Sequence, residues 1–153
     1  MRKRVDVCVI ALTSPVLVGI YEEQTLLQTI KSSEKSSDVL PEIFKEILEQ
    51  YDIERIFYAN GPGSFMAIKV AYIFLKSLSV LKNIPLYGTD AFYFNDNMPI
   101  KAIGKLYFVK IASEIKTEKF QEHVEAVFAL PHTLEVASFS KNATPLYSIG
   151  AVG

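Results

Sequence analysis

A glycine-rich segment between a predicted strand and a predicted helix is the part of this sequence best suited to hold a ligand. Its residues are Gly61, Pro62, Gly63, Ser64 and Phe65. Backbone N–H groups and the positive end of the helix dipole could bind an anion at such a position. However, the spacing of a Walker A loop or of a dinucleotide fingerprint is absent. We therefore favour a tight turn in which Ser64 caps the helix, with anion binding as the alternative.

The residues that could carry catalysis form no recognisable set. The two histidines, His123 and His132, are nine positions apart with a proline between them, whereas metal catalysis needs convergent ligands. Ser64 has no histidine nearby in the sequence to act as its base. The carboxylates between residues 114 and 125 alternate with lysines, which is typical of a solvated face. The sequence thus predicts no catalytic residue, no metal ligand and no cofactor in this chain.

The composition gives no general attraction to nucleic acid or to an anionic membrane, because 16 basic and 17 acidic residues leave a net charge of −1. Cys8 is the single cysteine and lies in an apolar run, so we expect a buried core thiol in a reducing compartment. Basic residues 2–4 precede an apolar stretch, as in a signal peptide, but Asp6 and the Ser14-Pro15 pair interrupt it. We therefore predict a cytoplasmic protein without a membrane-spanning segment.

The elements that position the glycine-rich segment are predicted in the order βββαβαβ. The strands are predicted at 5–12, 16–21, 25–30, 53–59 and 84–87, and the helices at 38–51 and 65–82. Further strands are predicted at 106–111 and 124–130. Asp38 is expected to cap the first helix with Pro41 in its first turn, and Thr89 or Asp90 to cap a short helix.

This order predicts an α/β fold with a mixed sheet flanked by helices, because three strands with tight connections form an antiparallel meander and the later strands need crossovers. Actin-like and ribonuclease H-like folds have the same order. We expect residues 1–97 to form an actin-like N-terminal domain and residues 98–153 a reduced C-terminal subdomain.

The second predicted helix, 65–82, is apolar almost all round, apart from Lys69, Lys76 and Lys82. Such a helix is normally buried on both sides. One side can pack on the sheet, but a chain of 153 residues has little material to cover the other. We therefore predict that a partner covers it, with coverage by the first helix and the C-terminal segment as the alternative.

The first helix carries two adjacent apolar rows, Val39-Ile43-Ile47 and Leu40-Phe44-Leu48-Tyr51. One row can pack on the sheet and the other on a neighbouring helix, so that the two helices together could meet an equivalent pair. The predicted partner-interface residues are Val39, Ile43, Ile47, Met66, Lys69, Tyr72, Ile73 and Lys76.

Residues 60–69, which read Asn-Gly-Pro-Gly-Ser-Phe-Met-Ala-Ile-Lys, resemble the signature of the TsaB (YeaZ) family, usually G-P-G-S-F-T-G-L-R. Residues 76–88 are similar to the continuation of that signature, and residues 37–41 to the start of the family's first helix. The resemblance covers roughly residues 4–95. It implies an actin-like (ASKHA) fold and a short, divergent family member.

The resemblance also implies a role in the synthesis of threonylcarbamoyladenosine (t6A) in tRNA. The chain would be a non-catalytic dimerisation subunit that binds a TsaD-like protein through the two helices. The TsaD-like subunit would carry the metal and transfer the threonylcarbamoyl group to adenosine 37 of tRNA, and a TsaE-like ATPase would use ATP. This chain would contact tRNA only indirectly, and it could form a homodimer through the same helices.

The chain departs from the family pattern where an acid usually follows the first strand, since residues 11–14 read Ala-Leu-Thr-Ser. In actin-like ATPases this acid helps to hold the metal and nucleotide, so its absence argues against ATP hydrolysis by this chain. Met66-Ala67 replaces the usual Thr-Gly, and Lys69 replaces the usual arginine. The alternative function is a stand-alone actin-like nucleotide-binding module or a glycoprotease-like hydrolase.

Overall fold

Strands and helices occur in the predicted order through the first part of the chain. The computed structural model describes residues 2–125 and 127–146. The elements are β1 Lys3–Ile10, β2 Val16–Glu22, β3 Thr25–Ser32, α1 Ser36–Gln50, β4 Tyr51–Ala59, α2 Phe65–Lys82 and β5 Leu86–Thr89, then β6 Ile100–Ile103, β7 Leu106–Ile111 and β8 Glu114–Lys119. Short 3-10 helices span Ala91–Phe94 and Val136–Ser138. The βββαβαβ order is confirmed.

The five-stranded sheet has the strand order β3-β2-β1-β4-β5. The tight connections make β1, β2 and β3 an antiparallel meander, and the crossovers through α1 and α2 make β4 and β5 parallel to β1. This mixed sheet confirms the predicted fold class. A separate three-stranded antiparallel sheet has the order β6-β7-β8. The division into domains at residue 97 stays a prediction.

The two faces of the large sheet bury different cores, because successive side chains of a strand point to opposite faces. Val7 and Val9 of β1 lie on the face covered by α1 and α2. Cys8 and Ile10 lie on the opposite face, against the segment that contains Phe92. The buried position of Cys8 is as predicted, and burial raises the pKa of its thiol.

The start of α1 differs from the prediction. The helix begins at Ser36, and the preceding Lys35 makes no capping hydrogen bond through its side chain. Asp38 lies in the first turn, where its charge favours the positive end of the helix dipole without capping it. Pro41 lies inside the helix, where it removes a backbone hydrogen bond to the exposed residue Ser37. The predicted Asp38 cap and first-turn proline were wrong.

In the second half of the chain the strand predicted at 106–111 is confirmed as β7, the one predicted at 124–130 is wrong, and β6 and β8 were not predicted. At the described positions between 124 and 130 the backbone is irregular, although Phe128 and Leu130 pack on the second core. These two side chains are partly buried without belonging to a strand, and Val127 between the predicted bounds is exposed. Strand β8 was not recognised because it is an edge strand that pairs only with β7 and consists mainly of charged residues.

Among the described residues, neither α1 nor α2 nor any other helix has the length and apolar content to cross a membrane.

Candidate functional site

Helix α2 has the boundaries that the sequence predicts. The Ser64 hydroxyl accepts a hydrogen bond from the Ala67 backbone N–H, with an N···O distance of 3.4 Å. At the other end Asn83 adopts a left-handed conformation, and its N–H donates to the Ser79 carbonyl. Both ends of α2 are therefore fixed by local caps, and the cap predicted for Ser64 is confirmed.

The two sides of α2 differ in burial although both are apolar. Ile68, Ala71 and Leu75 are buried beneath the helix. On the outer side Met66 is 61% exposed, Ile73 54% and Val80 69%. These three residues are spaced seven apart, so they form one line along the helix, which we call the α2 stripe. Phe65 and Leu81, near the two ends of the helix, are exposed as well.

Most of the predicted interface residues of α2 lie on or beside this stripe. Lys69 and Lys76 are exposed and follow one flank of it. Tyr72 is half-buried, and its ring stacks on Tyr58 of β4 with 6.2 Å between the ring centroids. The five α2 residues predicted for the interface are therefore at least partly accessible on one side of the helix. They are Met66, Lys69, Tyr72, Ile73 and Lys76.

The three interface residues predicted from α1 lie in the core instead. Val39, Ile43 and Ile47 are only 5%, 6% and 2% exposed. They pack in the core between the sheet and the helices, while Phe44 of the second row meets Phe74 of α2 in an edge-to-face contact at 5.6 Å. Both rows of α1 are thus packed within the chain, and the described structure leaves these three side chains almost no surface for a partner to contact.

Within the part of the chain that the structure describes, other segments of the same chain therefore cover α2 only partly. Helix α1 covers one flank of α2, through the Phe44–Phe74 contact, but leaves the α2 stripe exposed. The outward face of α1 is charged. Its exposed residues include Glu42, Lys45, Glu46 and Glu49.

The glycine-rich segment packs tightly against its surroundings. Gly61 has φ +116°, and a Cβ there would lie 3.0 Å from Ile68 Cδ1 and 3.0 Å from the Leu146 carbonyl oxygen. A Cβ at Gly63 would lie 3.3 Å from Leu12. Glycine is thus needed for backbone conformation and close approach. This geometry favours the tight-turn interpretation over anion binding.

A cavity of about 520 Å³ lies beside the same segment and brings together residues that are far apart in the sequence. Ser64, His123 and Glu125 all line it. His123 Nε2 lies 2.9 Å from a Glu125 carboxylate oxygen, and its Nδ1 lies 3.3 Å from the Tyr107 hydroxyl. Both ring nitrogens are therefore engaged by residues other than Ser64.

Residues 2–125 and 127–146 contain no group of three or more His, Cys, Asp or Glu side chains placed to hold a metal ion. His132 lies in a loop, as predicted, and its carbonyl accepts a hydrogen bond from the Leu26 N–H. The expectation that this chain has no metal ligands stays a prediction.

An ion pair between β1 and β4 is an important feature that the sequence analysis missed. Arg55 donates from Nε and Nη2 to the two carboxylate oxygens of Asp6, at 3.0 and 2.7 Å. Asp6 is only 5% exposed. The hydrogen bond to Asp6 is the main cause that raises the pKa of Arg55. An acid inside an apolar strand was the available signal for this pair.

Sequence comparisons relate part of the chain to a tRNA-modifying enzyme. The family model described as TsaD, tRNA N6-adenosine threonylcarbamoyltransferase, matches residues 26–93, which are 68 of the 153 residues. The curated tRNA N6-adenosine threonylcarbamoyltransferase of Pyrobaculum calidifontis is 26% identical over 61 residues. That match covers 37% of this chain and only 18% of the relative's length.

Structural comparison identifies the fold. YeaZ from Pseudomonas aeruginosa matches with a TM-score of 0.58 at 13% identity, over 78% of this chain and 66% of the YeaZ chain. The chain has a YeaZ-like fold. A protein described as similar to peptidase YeaZ from Pseudomonas aeruginosa matches with a TM-score of 0.55 at 14% identity, over 80% of this chain and 61% of that protein. The YeaZ-like fold confirms the actin-like architecture that the resemblance implies.

Proposed function

We propose that this chain is a TsaB-like, non-catalytic subunit that binds a TsaD-like protein and supports threonylcarbamoyl transfer to adenosine 37 of tRNA. The observation that carries the proposal is the exposed α2 stripe on a YeaZ-like fold. The match of residues 26–93 to the TsaD family supports it, because the partner would be a protein of related fold.

The shape and chemistry of the stripe suit a protein partner. Met66 and Val80 are fourteen residues apart, so the stripe is about 21 Å long. An apolar patch with a polar rim is typical of interaction sites, and Lys69 and Lys76 supply a basic rim here. We infer that the partner places an apolar helix on the stripe and acidic side chains beside these lysines. A second copy of the chain could use the same stripe in a homodimer.

The roles of the other components follow from the same proposal. The metal would belong to the TsaD-like subunit, ATP to a TsaE-like ATPase, and tRNA would be held by the assembled complex. The engaged ring nitrogens of His123 support a non-catalytic role for this chain. The single buried cysteine, Cys8, supports a cytoplasmic location.

Reconstitution tests this proposal against its alternative. The reaction contains the TsaD-like and TsaE-like proteins of the same organism, ATP, a threonylcarbamoyl donor and unmodified tRNA. It is run with and without this chain. We expect a stable complex with the TsaD-like protein and t6A formation that depends on the chain. ATP hydrolysis by the chain alone would favour the alternative, a stand-alone nucleotide-binding module or hydrolase, and t6A formation that does not depend on the chain would contradict the proposal.

A further inference from the structure

We propose that residues 139–146 form a strap that holds Tyr72 in its binding position on the α2 docking surface, by which we mean the α2 stripe together with Lys69, Tyr72 and Lys76. The inference rests on the proposed function and deepens it, because it assigns a positioning role to residues outside both helices. The strap crosses the free edge of β5 from one face of the large sheet to the other.

The strap is anchored first on the sheet face away from the helices. The Phe139 ring meets Phe57 of β4 edge-to-face, with 4.8 Å between the ring centroids. Ser140 then pairs with Gly88 of β5 through two backbone hydrogen bonds of 2.9 and 2.8 Å. The strap therefore covers part of the sheet edge as a short additional strand would.

The strap is anchored a second time on the helix side. The Tyr58 hydroxyl donates to the Ala143 carbonyl, and Asn60 Nδ2 donates to the Thr144 carbonyl at 3.2 Å. The Leu146 N–H donates to the Asn60 carbonyl at 2.8 Å. These hydrogen bonds join the strap to the end of β4, immediately before the glycine-rich segment.

Gly88 allows this close approach. A Cβ at Gly88 would lie 3.3 Å from Ala143 Cα, 3.1 Å from Asn60 Nδ2 and 3.3 Å from Tyr58 Cε1. The strap backbone thus occupies the space that a side chain at this position would need.

Tyr58 connects the strap to the docking surface. Its ring is 1% exposed and stacks on Tyr72 with an interplanar angle of 25°. Tyr72 lies three residues after Lys69 and four before Lys76, so the three share one side of α2. Loosening the strap would break the hydrogen bond from the Tyr58 hydroxyl to the Ala143 carbonyl and weaken the packing that orients Tyr72. Tyr58 is therefore a positioning residue that acts through Tyr72.

Tyr58→Phe tests the strap, with Tyr21→Phe as a matched control. Both tyrosines are buried in strands of the large sheet and donate from their hydroxyls to a backbone carbonyl, Tyr21 to that of Pro131. The loss of one hydrogen bond changes an equilibrium constant by a factor of about ten. We expect Tyr58→Phe to speed amide exchange at Ser140 and Leu146 about tenfold and to weaken binding of the TsaD-like protein about fivefold. Tyr21→Phe should lose a similar amount of thermal stability with no loss of binding.

Gly88→Ala provides a second route to the same result, because its Cβ would crowd Ala143 of the strap together with the Tyr58 and Asn60 side chains that anchor it, without removing the Tyr58 hydroxyl. We expect faster exchange at Leu146 and weaker binding from this variant too. If the wild-type chain binds the TsaD-like protein and both variants bind it equally well, the strap inference is overturned, whether or not amide exchange changes. The proposed function would then still stand. Absence of wild-type binding would overturn the proposed function, and the inference with it.

Discussion

An Ile73→Glu variant is expected to bind the TsaD-like protein about 100-fold more weakly than the wild-type chain, a difference of about 2.7 kcal/mol. Ile73 lies at the centre of the α2 stripe and is 54% exposed, so glutamate is tolerated in the free chain. In the complex the same carboxylate would be buried in an apolar contact, and it would compete with the partner's acidic side chains for Lys69 and Lys76, which lie four residues before and three after it. Titration calorimetry or interferometry with the purified proteins measures the two dissociation constants.

Ile111→Glu is the matched control for this prediction. Ile111 is also 54% exposed, but it lies at the end of β7 in the small sheet. The control should bind the partner as the wild type does and should lose no more thermal stability than Ile73→Glu. Equal binding by both variants would show that the α2 stripe is not the contact surface.

The second large effect concerns stability. Asp6→Ala is expected to lower the free energy of unfolding by about 3 kcal/mol, because it removes the buried acceptor of Arg55 and leaves a partly buried charge unpaired. Urea denaturation followed by circular dichroism measures this change.

Glu22→Ala removes a comparison ion pair near the same end of the sheet. Lys3 and Glu22 lie 3.5 Å apart, but both side chains are at least 40% exposed. Such a pair contributes about 1 kcal/mol or less. If Asp6→Ala costs no more than Glu22→Ala, the Asp6–Arg55 pair does not join β1 to β4 in the way that we describe.

Helix α2 shows what the sequence could predict. Its apolar run, its Ser64 cap and its Asn83 ending are all local signals, and the structure gives the predicted bounds of Phe65–Lys82. The order of strands was also predictable, because short connections and helical crossovers determine which strands are antiparallel or parallel.

Helix α1 shows what the sequence could not predict. Its two apolar rows were recognised, but periodicity does not show whether a row meets the same chain or another protein. Val39, Ile43 and Ile47 were assigned to a partner, and they lie in the core. The meeting of Ser64 and His123 in one cavity and the Asp6–Arg55 pair are long-range contacts that depend on the assembled sheet. The acid inside the apolar strand indicates that Asp6 needs a partner, but local spacing neither identifies Arg55 nor brings Ser64 to His123.

The most direct test of the proposed contact is oxidative footprinting of Met66 and Met98, the exposed methionines among the described residues, in the presence of the TsaD-like protein. Met66 lies on the α2 stripe, whereas Met98 is 47% exposed just before β6 and serves as an internal control. Oxidation of methionine follows the accessibility of its side chain. We expect the partner to lower Met66 oxidation severalfold and to leave Met98 oxidation unchanged. A complex in which Met66 stays as reactive as in the free chain would contradict the proposed contact.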